Sequence, residues 1–194
     1  MIIFITGKSG SGKSTFAKLL AKRLGYKYID VDDIGHKIYE WPQIMKKAYQ
    51  LFGQDINNEL GEFDRKRLGQ VVFGERQSEK VKTFNDLTWE YMKKLLDQEL
   101  TDNTIVDWIL LPQTTYWANF ALKILIKSKD EELRLKKLML RDNVTQDYIK
   151  LRDKASIEYN KSEFDFVFDN NYTKNELQRN VAKVVNFIKS SKRN

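Results

Sequence analysis

Close to its amino terminus the chain reads Gly7-Lys8-Ser9-Gly10-Ser11-Gly12-Lys13-Ser14, a full match to the pattern G-x-x-x-x-G-K-[ST]. Its setting constrains the fold as much as its letters do. Ile2 to Thr6, just before it, is β-branched and aromatic and bounded by glycine, the pattern of a short buried strand. Just after it, Phe16, Ala17, Leu19, Leu20 and Leu24 recur at helical spacing, and Gly25 stands where a helix stop belongs. A strand, a glycine-rich turn and a helix in immediate succession aim successive backbone N–H groups at one point, and the helix adds the positive end of its dipole. Such a turn grips phosphate. In this pattern Lys13 reaches the terminal phosphates of a bound nucleotide, and the Ser14 hydroxyl is a ligand for Mg²⁺. A glycine-rich turn that merely precedes a helix accounts for the glycines but not for Lys-Ser at the required offset.

Beyond this segment the pattern alternates. Tyr26 to Val31, Thr104 to Trp108, Ala121 to Ile126 and Phe166 to Phe168 read as four further strands. Ile34 to Leu100 is mostly helical by periodicity, punctuated by Gly53 and Gly61. Asp130 to Leu140 is helical, a charged segment runs on through Glu163, and Glu176 to Ile188 is a closing amphipathic helix. Strands alternating with helices predict an α/β fold with a five-stranded parallel sheet covered on both faces. In such sheets ligands bind beyond the carboxyl ends of the strands. Asp30, Asp32 and Asp33 fall at one such end and Asp107 at another.

With 194 residues, a single domain spanning the chain is expected. The absence of cysteine excludes a disulfide framework and a thiolate metal site. No uncharged apolar run approaches the ~20 residues that span a bilayer, and the short apolar start lacks the marks of a signal peptide. A cytoplasmic chain without a membrane partner is expected. The net charge of +7 comes with lysines scattered along helical stretches. That pattern indicates a mild bias toward anionic ligands rather than a nucleic-acid surface.

Several further runs are more particular than the glycine turn. Asp30-Val31-Asp32-Asp33-Ile34-Gly35-His36 closes the second strand. Gly61-Glu62-Phe63-Asp64-Arg65-Lys66-Arg67-Leu68 lies in the helical region, with Phe52-Gly53 before it and Val72-Phe73 after. Arg141-Asp142 is followed eleven residues on by Arg152, and Phe164-Asp165-Phe166-Val167-Phe168-Asp169-Asn170 forms the last strand region. From Met1 to about Val181 these runs resemble the dephospho-CoA kinase family. The resemblance implies a P-loop kinase with a helical substrate-binding insertion at about 34–100 and a lid at about 141–163. It implies transfer of phosphate from Mg·ATP, seated on Gly7 to Thr15, to the ribose 3′-hydroxyl of dephospho-CoA, the last step of coenzyme A synthesis. The partner is then a small molecule, and the chain a monomer or a weak homo-oligomer.

A sugar hydroxyl is a poor nucleophile, so a carboxylate should orient it and accept its proton. By position in the matching run that residue is Asp32, with Asp30 or Asp33 in support; Asp33 alternatively caps the following helix. Arg141 and Arg152 match the lid positions, where with Lys13 they would stabilise charge on the transferred group. His36 fits the family run and otherwise reads as a hydrogen-bonded helix residue. Arg65 either meets the acceptor's phosphates or pairs with a neighbour such as Asp64. Asp107 either helps hold Mg²⁺ and substrate or is an ordinary strand-end carboxylate. Asn170 lies near the adenine by analogy and otherwise reads as a turn residue. Arg134, where the family carries glutamine, and Arg179 read as solvated helix-surface arginines. Other departures are Trp108-Ile109 in place of a proline-containing run after Asp107, Trp89-Glu90 in place of His-Pro, and Ser156 in place of a second glutamine. Two further readings keep the nucleotide site: a nucleoside or nucleoside-monophosphate kinase, and an ATP-switched regulatory or nucleic-acid-binding module.

Overall fold

The computed structural model describes residues 1–74, 79–109, 120–154 and 158–191, apart from the side chains of Phe73, Leu151, Arg152 and Lys154. Ser156 lies outside the described residues. Two compact units are present, Met1–Asp30 with Thr101–Asn194, and Val31–Leu100.

The first unit is built on five strands: β1 (Ile2–Thr6), β2 (Lys27–Asp30), β3 (Thr104–Asp107), β4 (Leu122–Ser128) and β5 (Phe166–Asn170). All pairings are parallel, in the order β2-β3-β1-β4-β5. Strand β1 is central, and Ile3, Phe4 and Ile5 are fully buried, as a strand covered on both faces requires. Each such side chain contributes roughly 2 kcal/mol through burial. Helices α1 (Lys13–Leu24) and α8, the closing helix (Lys174–Ser191), pack on the sheet, with Phe16 and Leu20 joining Val181, Val184 and Ile188 in one cluster. Register sets which residues meet at the carboxyl ends. Asp30 of β2 lies opposite Asp107 of β3, and Ser128 of β4 opposite Asn170 of β5.

Between β4 and β5 lie α6 (Glu131–Asp142) and α7 (Gln146–Lys154). Asp130 caps α6 by accepting from the Leu133 N–H at 2.9 Å, Glu131 and Glu132 occupy its first turn, and Asn143 closes it in a left-handed conformation. The charged segment after Asp142 therefore contains a helix that its periodicity did not reveal. Buried Ile149 is that helix's apolar anchor. Strand β2 is also shorter than its apolar run, because the chain turns helical at Val31.

The second unit is helical. It comprises α2 (Val31–Lys37), α3 (Pro42–Phe52), α4 (Arg65–Gly74) and α5 (Glu79–Glu99). Pro42 opens α3 at a position where no N–H is needed. Ile44, Ala48 and Phe52 pack with Leu68, Val81 and Phe84, and the Phe52 and Phe84 rings meet edge to face at 5.4 Å. Asp32 and Asp33 both lie inside the first turn of α2, so Asp33 does not cap a later helix. Among the described residues no helix is long and apolar enough to cross a membrane.

Candidate active site

Gly7 to Gly12 curls from the end of β1 into α1, and close approach explains its glycines. A β-carbon on Gly7 would stand 2.0 Å from the Ile126 carbonyl oxygen, and one on Gly12 would stand 2.2 Å from Asn170 Nδ2. Gly12 also holds a left-handed φ of 92° as it opens the helix. No side chain caps α1, and its first turn holds no acidic residue. Its leading N–H groups are thus left for an anionic ligand.

The loop's carbonyls from Lys8 to Gly12 are engaged from behind. The Ser11 N–H donates to the Lys8 carbonyl at 3.0 Å and the Phe16 N–H to the Gly12 carbonyl at 3.0 Å. Between these, Arg134 Nη1 donates to the Ser9 carbonyl at 2.7 Å, the Tyr172 hydroxyl to the Gly10 carbonyl at 3.0 Å, and Asn170 Nδ2 to the Ser11 carbonyl at 2.8 Å. In front of the loop, Gly12, Lys13, Ser14 and Thr15 line a cavity of about 230 Å³ together with Lys137, Arg141 and Tyr172. Gly12, Thr15, Lys137 and Tyr172 also border a neighbouring cavity of about 310 Å³, which Asn170 helps to line.

Asp107 sits at the tip of β3, only 1 % exposed, with Lys13 Nζ 3.8 Å from its Oδ1. Burial pushes its carboxyl above the ordinary carboxylate value, against the pull of Lys13 and a hydrogen bond from Ser14. The Tyr28 phenol, one turn of the pleat before Asp30, faces both acids: its oxygen is 3.0 Å from Asp107 Oδ2 and 3.2 Å from Asp30 Oδ2. Burial, with those two negative charges, raises the Tyr28 pKa so far that it stays a proton donor. Asp107 Oδ1 is buried without a hydrogen-bond partner. A carboxylate oxygen with spare acceptor capacity, beside the Ser14 hydroxyl, is the hard-oxygen donor set that suits Mg²⁺.

Arg134 is the clearest departure from its sequence reading. It is not solvated: its side chain is fully buried, its Nε donates to Glu131 at 2.8 Å, and it bonds Asp153 of α7. A helix-borne cation is expected at the surface only when nothing anionic waits for it inside. Here two carboxylates and the Ser9 carbonyl do. Lys8 lines a separate cavity of about 490 Å³ with Glu131, Arg134, Asp153 and Tyr159, and its carbonyl accepts from the Ser11 N–H. In that region the Tyr159 hydroxyl donates to the Ile109 carbonyl at 2.8 Å and accepts from Thr6 Oγ1 at 3.3 Å. Arg141 is largely exposed, pairs with Asp142, and extends Nη2 to within 3.4 Å of Ser9 Oγ. The Arg152 side chain lies outside the described residues.

In the helical unit, Asp32, His36 and Arg65 are all exposed. Asp64 caps α4, accepting from the Lys66 and Arg67 N–H groups at 2.6 and 3.3 Å. Arg65 lies beside Tyr39, whose phenol burial pushes up and the guanidinium pulls down.

Tyr28, Tyr172 and the inward role of Arg134 were missed in the sequence. Tyr28 alone left a signal there. It stands two residues before Asp30, and strand residues at that spacing share a face.

A parallel sheet with a polyphosphate grip at the tip of its central strand, and a carboxylate at the tip of the next, defines a P-loop phosphotransferase. Comparison narrows the class. The family described as dephospho-CoA kinase matches residues 1–176, and the chain belongs to that family. It is 30% identical over 188 residues to a dephospho-CoA kinase of Fusobacterium nucleatum, covering 94% of this chain and 96% of the relative. Among solved structures it resembles the dephospho-CoA kinase from Campylobacter jejuni at 26% identity, with a TM-score of 0.63 and 98% of each chain covered. A likeness in fold extends to TT1252 from Thermus thermophilus, with a TM-score of 0.75 at 24% identity over 95% of this chain and 96% of that one.

Proposed function

We propose that this chain, acting in the cytoplasm on a small-molecule acceptor, transfers the γ-phosphoryl group of ATP to the ribose 3′-hydroxyl of dephospho-CoA, giving coenzyme A. Family membership supplies the acceptor. The observation that carries the chemistry is the loop whose carbonyls are held from behind, with Lys13, Ser14 and Asp107 in front of it.

Phosphoryl transfer needs positioning and charge stabilisation more than covalent help. The loop amides and the first turn of α1 bind the phosphates, and Lys13 swings from Asp107 onto the β- and γ-phosphates. Ser14 and Asp107 would hold Mg²⁺, which spreads the negative charge of the triphosphate when bound. Arg141, at the border of the cavity that contains Lys13 and Ser14, neutralises charge on the transferred group, with Arg152 as its companion. Asn170 and Thr15 border the space beyond the phosphates, which takes the nucleoside of ATP.

Asp32, two residues past Asp30 and in the first turn of α2, aims the acceptor hydroxyl and receives its proton. His36 and Arg65 contact the acceptor, the latter through a phosphate. In a coupled assay with Mg·ATP, dephospho-CoA is expected to be the preferred acceptor over a panel of nucleosides. Asp32→Asn is expected to fold and bind ATP as before, with turnover lowered about 100-fold or more. A variant turning over within a few-fold of the parent removes Asp32 as the base, and a preference for a free nucleoside removes the acceptor assignment.

A further inference from the structure

Because the peptide unit is planar and trans, each carbonyl points opposite the N–H of the same unit. A loop that binds anions through its amides must therefore dispose of its carbonyls on the far side. In this loop three of them are taken by side chains remote in sequence, and one of the three donors stands in a costly conformation. Tyr172 has φ +63°, a left-handed backbone that a β-carbon disfavours. Strain of this kind persists only where the surroundings over-determine it.

The contacts that do so at Tyr172 converge on the phosphate loop. Its single phenolic proton faces the Gly10 carbonyl at 3.0 Å and the Ser128 hydroxyl at 2.8 Å; that hydroxyl itself donates to the Asp130 carbonyl. The Tyr172 N–H donates to Asn170 Oδ1 at 2.8 Å, and the same Asn170 amide holds the Ser11 carbonyl. Lys137 Nζ lies 3.9 Å from the centroid of the Tyr172 ring, a close cation–π contact. Tyr172 therefore ties the end of β5 to the end of β4 and to the middle of the loop at once.

We propose that Tyr172 is a positioning residue for the triphosphate: its hydroxyl, delivered by a strained left-handed backbone, holds the Gly10 carbonyl outward, fixes the peptide plane whose Ser11 N–H closes the turn onto the Lys8 carbonyl, and so sets the contour in which the flanking loop amides meet the phosphates. The inference rests on reading Gly7 to Ser14 as the ATP grip, and it makes no use of the acceptor.

Tyr172→Phe keeps the ring, the β-carbon and the cation–π contact and removes only the hydroxyl. Inorganic tripolyphosphate is the discriminating probe because it meets the loop without a base or sugar. Calorimetric titration is expected to show tripolyphosphate and ATP both bound about fivefold more weakly, the equivalent of one net hydrogen bond. The KM for ATP should rise in parallel while kcat stays within twofold, as lost uniform binding predicts. Should the phenylalanine variant fail to fold, Tyr172→Asn, whose side chain tolerates the left-handed region, removes the hydroxyl together with the ring, and tripolyphosphate bound as tightly as by the parent overturns the proposal there too. A folded variant that binds tripolyphosphate as tightly as the parent overturns the proposal, whatever its melting temperature. Failure of the parent to phosphorylate dephospho-CoA would refute the acceptor assignment and leave this measurement intact.

Discussion

At Asp107 a carboxyl group is shut away at the tip of β3 with Oδ1 lacking a hydrogen-bond partner, a costly arrangement that the Lys13 ammonium at 3.8 Å offsets only in part. A divalent cation would offset the remainder. Asp107→Asn is expected to lower kcat about 100-fold, since ion-assisted charge stabilisation supplies several kcal/mol. The same substitution should abolish the rise in melting temperature that Mg²⁺ adds to ADP in the parent. An equal Mg²⁺-dependent rise in both proteins would exclude Asp107 as a ligand. How far such roles can be read from letters depends on where the partners lie. Lys13 and Ser14 announce themselves because their partners are fixed by a local motif. Tyr28 meets Asp107 across 79 positions of sequence and Tyr172 meets Gly10 across 162; the local signal at Tyr28, its spacing to Asp30, stops within its own strand, and Tyr172 has none.

Helix α6 is the element that turns a surface-looking sequence into an internal strut. Its Arg134 bonds Glu131 one turn before it, Asp153 on α7 and the Ser9 carbonyl, joining two helices to the phosphate loop. Arg134→Gln is expected to destabilise the fold by about 3 kcal/mol, because Glu131 and Asp153 would be left facing each other without their cation. A lowered denaturation midpoint in urea would register this. Acid should reveal the same link. The hydrogen bond from Arg134 holds the Glu131 carboxyl below its ordinary value of 4.5. That contribution is complete above the ordinary value and is lost as pH falls through the depressed one. Stability of the parent should therefore drop on acidification below about pH 4.5, and the part due to this pair should be missing in the glutamine variant. Identical acid limbs would show that the pair is not coupled. Periodicity found the α6 segment but not the inward role of Arg134, since a cation on a helix is normally solvated. It missed α7 altogether, because a short, highly charged helix, in which Ile149 is the deeply buried residue among those described, scarcely departs from a charged loop in pattern.

On the scale of the whole molecule, the alternation of apolar strands with amphipathic helices was enough to give the α/β class, because the strands of a parallel sheet must be covered on both faces by the helices that connect them. It could not give the strand order, which arises from which pairings close one sheet. That order places β3 between β2 and β1, so the acids of two strands gather beside the loop of a third. The net charge of +7 acts over the same range. Raising ionic strength should increase KM for ATP while leaving kcat nearly constant, as screening removes long-range attraction for a polyanion. A KM insensitive to salt would confine recognition to the groups in contact. The bracing of the loop from behind has a last consequence for timing. The backbone freedom that a glycine-rich turn must surrender is given up when the protein folds, not when nucleotide arrives. The braced turn thus offers ATP a contour already set, and ordering it subtracts little from the free energy of binding.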